Sequence, residues 1–285
     1  MNFKGDAGSL KRLIDASIAE DGCSRDITTN NLIASSQEAE AIIKAKENAV
    51  VCGAFLARII LKRFDSKINV KILVCDGKKV KKGKPVLRIR GKAQAILKSE
   101  RIILNFLSHL SGIATKTSEA VSLAKGSKAV ILDTRKTTPG LRDLEKYAVR
   151  CGGAHNHRMN LSEMAMIKDN HWVFIPKAMS LKEAVRKIKV SSGKRVEVEV
   201  DTLKQLPAAI EAKADVILLD NMNTRELRRA VSMLKKISGK KPLLEASGGV
   251  TLNNLKQIAK TGVDRISLGA LTHSVDAIDM SMEFV

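Results

Sequence analysis

The chain has 285 residues, 44% of them hydrophobic and only 3% aromatic, and carries a formal net charge of +20. That apolar share supports a buried core in one large domain or two modest ones and excludes a disordered chain. So few aromatic residues argue against a base-stacking nucleic-acid platform, while the basic excess points to anionic partners (nucleic acid, an acidic membrane or phosphorylated metabolites) or to a solvated Lys-rich surface.

In chain order, residues 10–20 read as an amphipathic helix, 39–51 as strand-like stretches and 54–64 as a helix. A strand at 68–74 leads to a turn at Asp76-Gly77, a basic stretch at 78–84 and a further strand at 86–89. Ser99 is placed to cap a long helix running through Leu110, with Gly112 as its weak point. Cys23, Cys52, Cys75 and Cys151 form no Cys-x-x-Cys pair. No apolar run reaches membrane-spanning length, and no apolar signal segment opens the chain, so a reduced cytoplasmic protein without membrane contact is expected.

The second part has a regular rhythm of short apolar runs that end in polar residues. Val130-Ile-Leu leads to Asp133, Met164-Ala-Met-Ile to Lys168, and Val196-Glu-Val-Glu-Val to Asp201. Val216-Ile-Leu-Leu leads to Asp220, Leu243-Leu to Glu245, and Arg265-Ile-Ser-Leu to Gly269. Helix-start signals lie between them: Ser180 with Glu183, Thr202 with Gln205, Asn223 with Glu226. Alternating strands and helices predict a parallel α/β sheet with its site at the carboxyl ends of the strands. Six such units do not demand a closed eightfold barrel.

Chemistry concentrates at those strand ends. Arg135 and Lys136 follow one strand directly, and two adjacent cations there make sense if an anion sits between them. Two glycines in Cys151-Gly-Gly-Ala-His-Asn-His-Arg158 permit close backbone approach. His155 and His157 at i, i+2 are a weak metal signal, so His157 and Arg158 are expected to hold an anion and His155 to make a structural hydrogen bond. Lys168 ends the next strand. Glu199 and Asp220 end the two after it and suit sugar hydroxyls, or magnesium through water. Of the two glutamates on one face of Val196-Glu-Val-Glu-Val, Glu199 is nearer the mouth and is preferred to Glu197. Ser247-Gly-Gly249 and Leu268-Gly-Ala270 close the last two strands ahead of helical segments, the usual phosphate position in such folds. Together these residues predict an enzyme that binds a polycarboxylate and a sugar phosphate.

The runs DTRKTTPGLRDLEKYAVRCGGAHNHRM (133–159), MIKDNH (166–171), VEVEV, LLDNM, LEASGGVT and SLGALTHS resemble the quinolinate phosphoribosyltransferase family, the decarboxylating type. ERIILNFLSHLSGIAT (100–115) and DITT (26–29) resemble the same family, so the likeness covers nearly the whole chain. Arg25, Ala154, Asn160 and Trp172 depart from the residues expected around these motifs, and none is a candidate site residue.

The resemblance implies an N-terminal α/β sandwich domain plus an irregular (β/α) barrel with fewer than eight strands. The expected domains are residues 1–110, 111–270 and a C-terminal tail, 271–285, packing back on the first. The implied substrates are quinolinate and phosphoribosyl pyrophosphate, with Mg2+ as cofactor. The implied assembly is a homodimer or dimer-based hexamer in which Arg101 enters the neighbour's site. By position, Lys136, Lys168, Glu199 and Asp220 would be catalytic. Arg101, Thr134, Arg135, Lys136, His157, Arg158 and Lys168 would hold the carboxylates and phosphates. Glu199 and Asp220 would face the ribose and magnesium. Ser247, Gly248, Gly249, Leu268, Gly269 and Ala270 would hold the 5-phosphate. A lipoyl- or biotinyl-carrier reading of residues 76–86 fails because no modification lysine follows, and nucleic-acid binding finds no supporting motif.

Overall fold

The structure, a computed structural model, describes residues 2–285. Its strands are β1 (Glu38–Ala45), β2 (Ala49–Val50), β3 (Asn69–Ile72), β4 (Lys79–Val80), β5 (Pro85–Lys92), β6 (Val130–Leu132), β7 (Ala165–Ile167), β8 (Val196–Val200), β9 (Val216–Asp220), β10 (Leu243–Ser247), β11 (Arg265–Ser267) and β12 (Met280–Phe284). Its α-helices are α1 (Ala7–Glu20), α2 (Ile27–Leu32), α3 (Ala54–Leu61), α4 (Ala93–Leu123), α5 (Arg142–Cys151), α6 (Asp169–Trp172), α7 (Leu181–Ser192), α8 (Leu206–Glu211), α9 (Thr224–Lys235), α10 (Leu252–Ala259) and α11 (Ala270–His273).

The chain packs into two compact units. One comprises residues 1–118, 137–153 and 271–285, and the other residues 119–136 and 154–270. The expected division at residue 110 falls inside α4, a continuous helix of 31 residues. The division by packing comes later, and it returns α5 to the first unit.

In the first unit, β12, β1, β5 and β3 form an antiparallel sheet in that order. β1 buries Ala41, Ile43 and Ala45 on one face, the period-2 pattern of a half-buried strand. Ala41 stands opposite Phe284, so residues 271–285 end as a strand of this sheet. α3 turns Leu56, Ala57, Ile60 and Leu61 inward. No disulfide joins the four cysteines.

Ser99 does not cap α4. It lies inside the helix, and its hydroxyl donates back to the Ala95 carbonyl at 2.8 Å. A mid-helix serine has this alternative partner, so a capping-type residue need not mark a helix start. Nor is Gly112 merely a weak point. A Cβ there would lie 2.3 Å from the Asp276 carbonyl oxygen, so the close passage of the 271–285 segment requires glycine.

In the second unit, the parallel sheet runs β6-β11-β10-β9-β8-β7. From β7 to β11 the strands follow sequence order, β11 then pairs with β6, and β6 and β7 are the two ends of the sheet. The segment after α5 also lies beside β6: His155 N donates to the Ile131 carbonyl, and Asp133 N to the His155 carbonyl. Val216, Ile217, Leu218 and Leu219 of β9 are all buried, as expected for a strand covered on both faces. Six strands appear where six apolar runs predicted them.

The capping boxes at Ser180–Glu183 and Asn223–Glu226 are formed. Thr202 and Gln205 behave differently. Gln205 Oε1 accepts from the Asp201 and Thr202 N–H groups within a turn, and α8 starts only at Leu206.

Gly112→Ala will lower stability by about 1–3 kcal/mol through overpacking, although alanine is the better helix former. A denaturant midpoint equal to or above that of the unchanged protein would show that the approach of Asp276 is not constrained.

Candidate active site

All six strands of the second unit are parallel, so their carboxyl ends lie along one edge. That edge collects Thr134, Arg135 and Lys136 after β6, Lys168 after β7, and Glu199 and Asp201 at the end of β8. It also collects Asp220 at the end of β9, Ser247–Gly249 after β10, and Leu268–Ala270 after β11. Arg101 belongs to the other unit, where it is exposed on α4.

The loop that carries His157 and Arg158 is fixed by Asp133. This carboxylate is fully buried at the end of β6. It accepts from His157 N at 2.7 Å and from Asn156 Nδ2 at 2.6 Å. Arg158 is anchored in turn, its Nη1 donating to the Met164 carbonyl at 2.9 Å. Burial lowers the Arg158 pKa, the Arg135 charge lowers it further, and Glu197 acts in the opposite sense. The positive charge of Arg135 therefore acts on Arg158 as a like charge. Arg135 Nε is buried and has no hydrogen-bond partner, so the protein leaves a charged donor for something else to satisfy.

Opposite charge is supplied by the neighbouring strand ends. Lys168 Nζ lies 2.7 Å from Glu199 Oε2. Glu199, Asp201 and Asp220 bring one carboxylate oxygen each to within 4.8 Å of one another. Asp201 was read only as the end of a strand. The turn that places it beside Glu199 and Asp220 involves Gln205, a pairing that the Thr202–Gln205 spacing hinted at.

The glycine-rich ends have a steric reason. Gly248 and Gly249 adopt φ of 79° and 59°. A Cβ on Gly248 would lie 2.3 Å from Asn221 Oδ1, and Asn221 N donates to the Ser247 carbonyl at 2.9 Å. Only glycine lets the β10 end turn this closely against the loop after β9.

His157, expected to hold an anion, has a side chain that is 6% exposed in the structure. Nδ1 accepts from the Arg158 N–H at 2.7 Å. Nε2 lies 3.1 Å from Glu197 Oε2 and 3.4 Å from Glu245 Oε1, contacts of charge rather than aligned hydrogen bonds. Burial alone would lower the ring's pKa, but the two carboxylates outweigh it and raise it to about 9. The Arg158 N–H resists part of this rise, because a ring protonated at both nitrogens cannot accept it. Burial, with the charge of Glu245, raises the Glu197 carboxyl, while His157 pulls it down. His155, by contrast, is exposed and serves the structure through its backbone, bridging to β6.

The family model described as Quinolinate phosphoribosyl transferase, N-terminal domain, matches residues 26–111, and that described as its C-terminal domain matches residues 113–283. A Methanocaldococcus jannaschii protein named "Probable nicotinate-nucleotide pyrophosphorylase [carboxylating]" is 43% identical over 267 residues, which span 91% of this chain and 92% of the relative. A Nicotiana tabacum protein named quinolinate phosphoribosyltransferase [decarboxylating] 1b is 40% identical, over 96% of this chain and 82% of its own. The solved structure of the nicotinate-nucleotide pyrophosphorylase from Francisella tularensis superposes with a TM-score of 0.91 at 39% identity, covering 99% of this chain and 98% of that one. With both family models matched and such relatives spanning its length, this chain belongs to the quinolinate phosphoribosyltransferase family.

Proposed function

We propose that the chain transfers a phosphoribosyl group from phosphoribosyl pyrophosphate to quinolinate with decarboxylation. The products are nicotinate mononucleotide, pyrophosphate and carbon dioxide, a step of NAD synthesis. Beside family membership, one observation carries this reading. Arg135, with its buried partnerless Nε, and the like-charged Arg158 occupy the same strand edge as a carboxylate group made of Glu199, Asp201 and Asp220. A dianionic ring acid suits the first set, and a sugar whose anomeric carbon becomes positive suits the second.

In this reading Arg135 and Arg158 take the quinolinate carboxylates, Arg135 through its spare buried N–H. Thr134 adds a hydroxyl, and Lys136 extends the positive field toward pyrophosphate. Lys168, steadied by Glu199, turns its remaining N–H donors to the substrate. Glu199 and Asp220 hold ribose hydroxyls and oppose the positive charge that develops on C1 as pyrophosphate departs. The Ser247–Gly249 and Leu268–Ala270 turns offer backbone N–H groups to the 5-phosphate.

The pyridine nitrogen donates its electron pair to C1 as the C1–pyrophosphate bond breaks. The nitrogen is then cationic, so the ring accepts the electron pair released when the C2–carboxylate bond breaks. Carbon dioxide leaves, and a solvent proton takes its place on C2. No covalent intermediate on the protein is needed, so positioning and charge stabilisation supply the rate. The all-oxygen set of Glu199, Asp201 and Asp220 fits a hard dication such as Mg2+, which would neutralise charge on the pyrophosphate.

The reading extends to a homodimer or dimer-based hexamer in the cytoplasm, with Arg101 completing the neighbour's site. The exposure of Arg101 on α4 and the lack of a disulfide among the four cysteines support it. Among the described residues, no helix is long and apolar enough to cross a membrane.

A coupled assay with quinolinate, phosphoribosyl pyrophosphate and magnesium tests the reaction, with nicotinate mononucleotide and carbon dioxide as readouts and Lys136→Ala as control. Turnover with another ring acid but none with quinolinate would discard the substrate. Arg135→Ala removes a charge-assisted contact worth roughly 1.5–3 kcal/mol, so kcat/KM for quinolinate should fall by about 10- to 150-fold. An unchanged value would remove Arg135 from the site. Asp220→Asn should lower kcat/KM for phosphoribosyl pyrophosphate by about tenfold or more while leaving direct quinolinate binding, read by calorimetry, within about twofold.

A further inference from the structure

Two thiols meet inside the first unit, where the proposed reaction gives neither a part. Cys52 follows β2, and Cys151 ends α5. They are 0% and 6% exposed, and their Sγ atoms lie within 4.8 Å of one another and of an Asp76 carboxylate oxygen. The other two cysteines differ in their surroundings. The Cys23 thiol donates to the Lys98 carbonyl at 3.2 Å, and Cys75 is exposed.

The backbone at both thiols is set against the same helix, α4. Ser111 Oγ accepts from Cys52 N at 3.0 Å and donates to the Cys52 carbonyl at 3.3 Å, so it clasps that residue at both ends. Beside Cys151, a Cβ on Gly152 would lie 2.4 Å from Thr117 Cβ and 2.5 Å from the Ala114 carbonyl oxygen, so this end of α5 is pressed on α4. Packing thus holds together two side chains that are about 100 residues apart in the chain.

Two sulfurs and a carboxylate suggest a soft metal ion first. Asp76, however, is committed elsewhere: Oδ1 accepts from Ala54 N at 3.0 Å and Oδ2 from the Tyr147 hydroxyl at 2.7 Å. What remains is a pair of adjacent thiols, the arrangement from which a disulfide forms. The Cys52 thiol donates toward Cys151 and lowers the Cys151 pKa, while burial acts in the opposite sense. Burial, with that donation, raises Cys52. The more acidic sulfur therefore belongs to the less buried residue.

We propose that Cys52 and Cys151 are a modification site, a dithiol that a hydroperoxide converts to an internal disulfide. The Cys151 thiolate attacks a peroxide oxygen. A sulfur–oxygen bond forms, the oxygen–oxygen bond breaks, and the departing alkoxide or hydroxide takes up a proton. Sulfur loses two electrons and the peroxide gains them. The Cys52 sulfur then displaces the sulfenic hydroxyl, and its proton leaves with that group as water. The new bond ties the end of α5 to the segment between β2 and α3.

The test treats the full-length folded protein with hydrogen peroxide at neutral pH, then unfolds it, alkylates the remaining thiols and maps the peptides by mass. The expected product joins the Cys52 and Cys151 peptides, lighter than their sum by two hydrogens and separated again by a thiol reductant. A closed loop of this length constrains the unfolded chain, so the oxidised protein should melt about 5 °C or more above the reduced one. Cys52→Ala removes the second sulfur, and Cys151 should then collect as a sulfenic acid that dimedone traps. Whatever that substitution does to the fold, the map of the unchanged protein decides. Cys52 and Cys151 both recovered alkylated once Cys75 has been oxidised overturn the proposal. So does Cys151 carried to sulfinic acid while Cys52 stays a thiol, or a bridge formed only between chains. An oxidised protein that melts no higher than the reduced one overturns the tie.

Discussion

Like charges held together at one edge of the parallel sheet are the constraint around which the second unit is organised. The Arg135 charge lowers the tendency of Arg158 to stay charged, and Arg135 keeps a buried donor without a partner. Such an arrangement persists only if the surrounding structure holds it, or if an anion completes it. The strand ends supply the first: Asp133 ties down the loop from below, Glu197 offsets Arg158 from inside the sheet, and Glu199 steadies Lys168.

The rigidity this requires comes from the strands. β8, β9 and β10 are buried almost throughout, so their carboxyl ends are fixed by packing on both faces. Side chains at successive strand ends therefore keep their spacing without help from long loops. Preorganised charge of this kind stabilises a changing charge distribution without reorganising as the reaction proceeds. The glycines at the β10 end follow from the same tight geometry, since Asn221 occupies the space that a side chain at Gly248 would need.

Much of the fold is legible in the sequence. Six apolar runs with polar ends became six parallel strands, because a strand covered on both faces must be apolar until it reaches the edge. Signals that depend on a local alternative were less faithful. Ser99 found a carbonyl within its own helix, and Gln205 closed a turn ahead of α8. The candidate site was legible wherever a charged residue directly followed an apolar run, as at Arg135, Lys168, Glu199 and Asp220. Asp201 escaped because only the turn after β8 brings it beside the other carboxylates.

By itself, the sequence determined the alternation of strands and helices, the edge on which charge would gather, and the family, because these follow from hydrophobic periodicity and short contiguous motifs. Only the tertiary structure decided that residues 137–153 return to the first unit, that Gly112 makes room for Asp276, and that His157 is turned inward between two glutamates. Each of these depends on which distant residue arrives at a given atom. Whether a histidine meets a substrate or a buried carboxylate is a matter of what lies beside both of its nitrogens, and here those neighbours come from residues 40 and 88 positions further along the chain as well as from the next one.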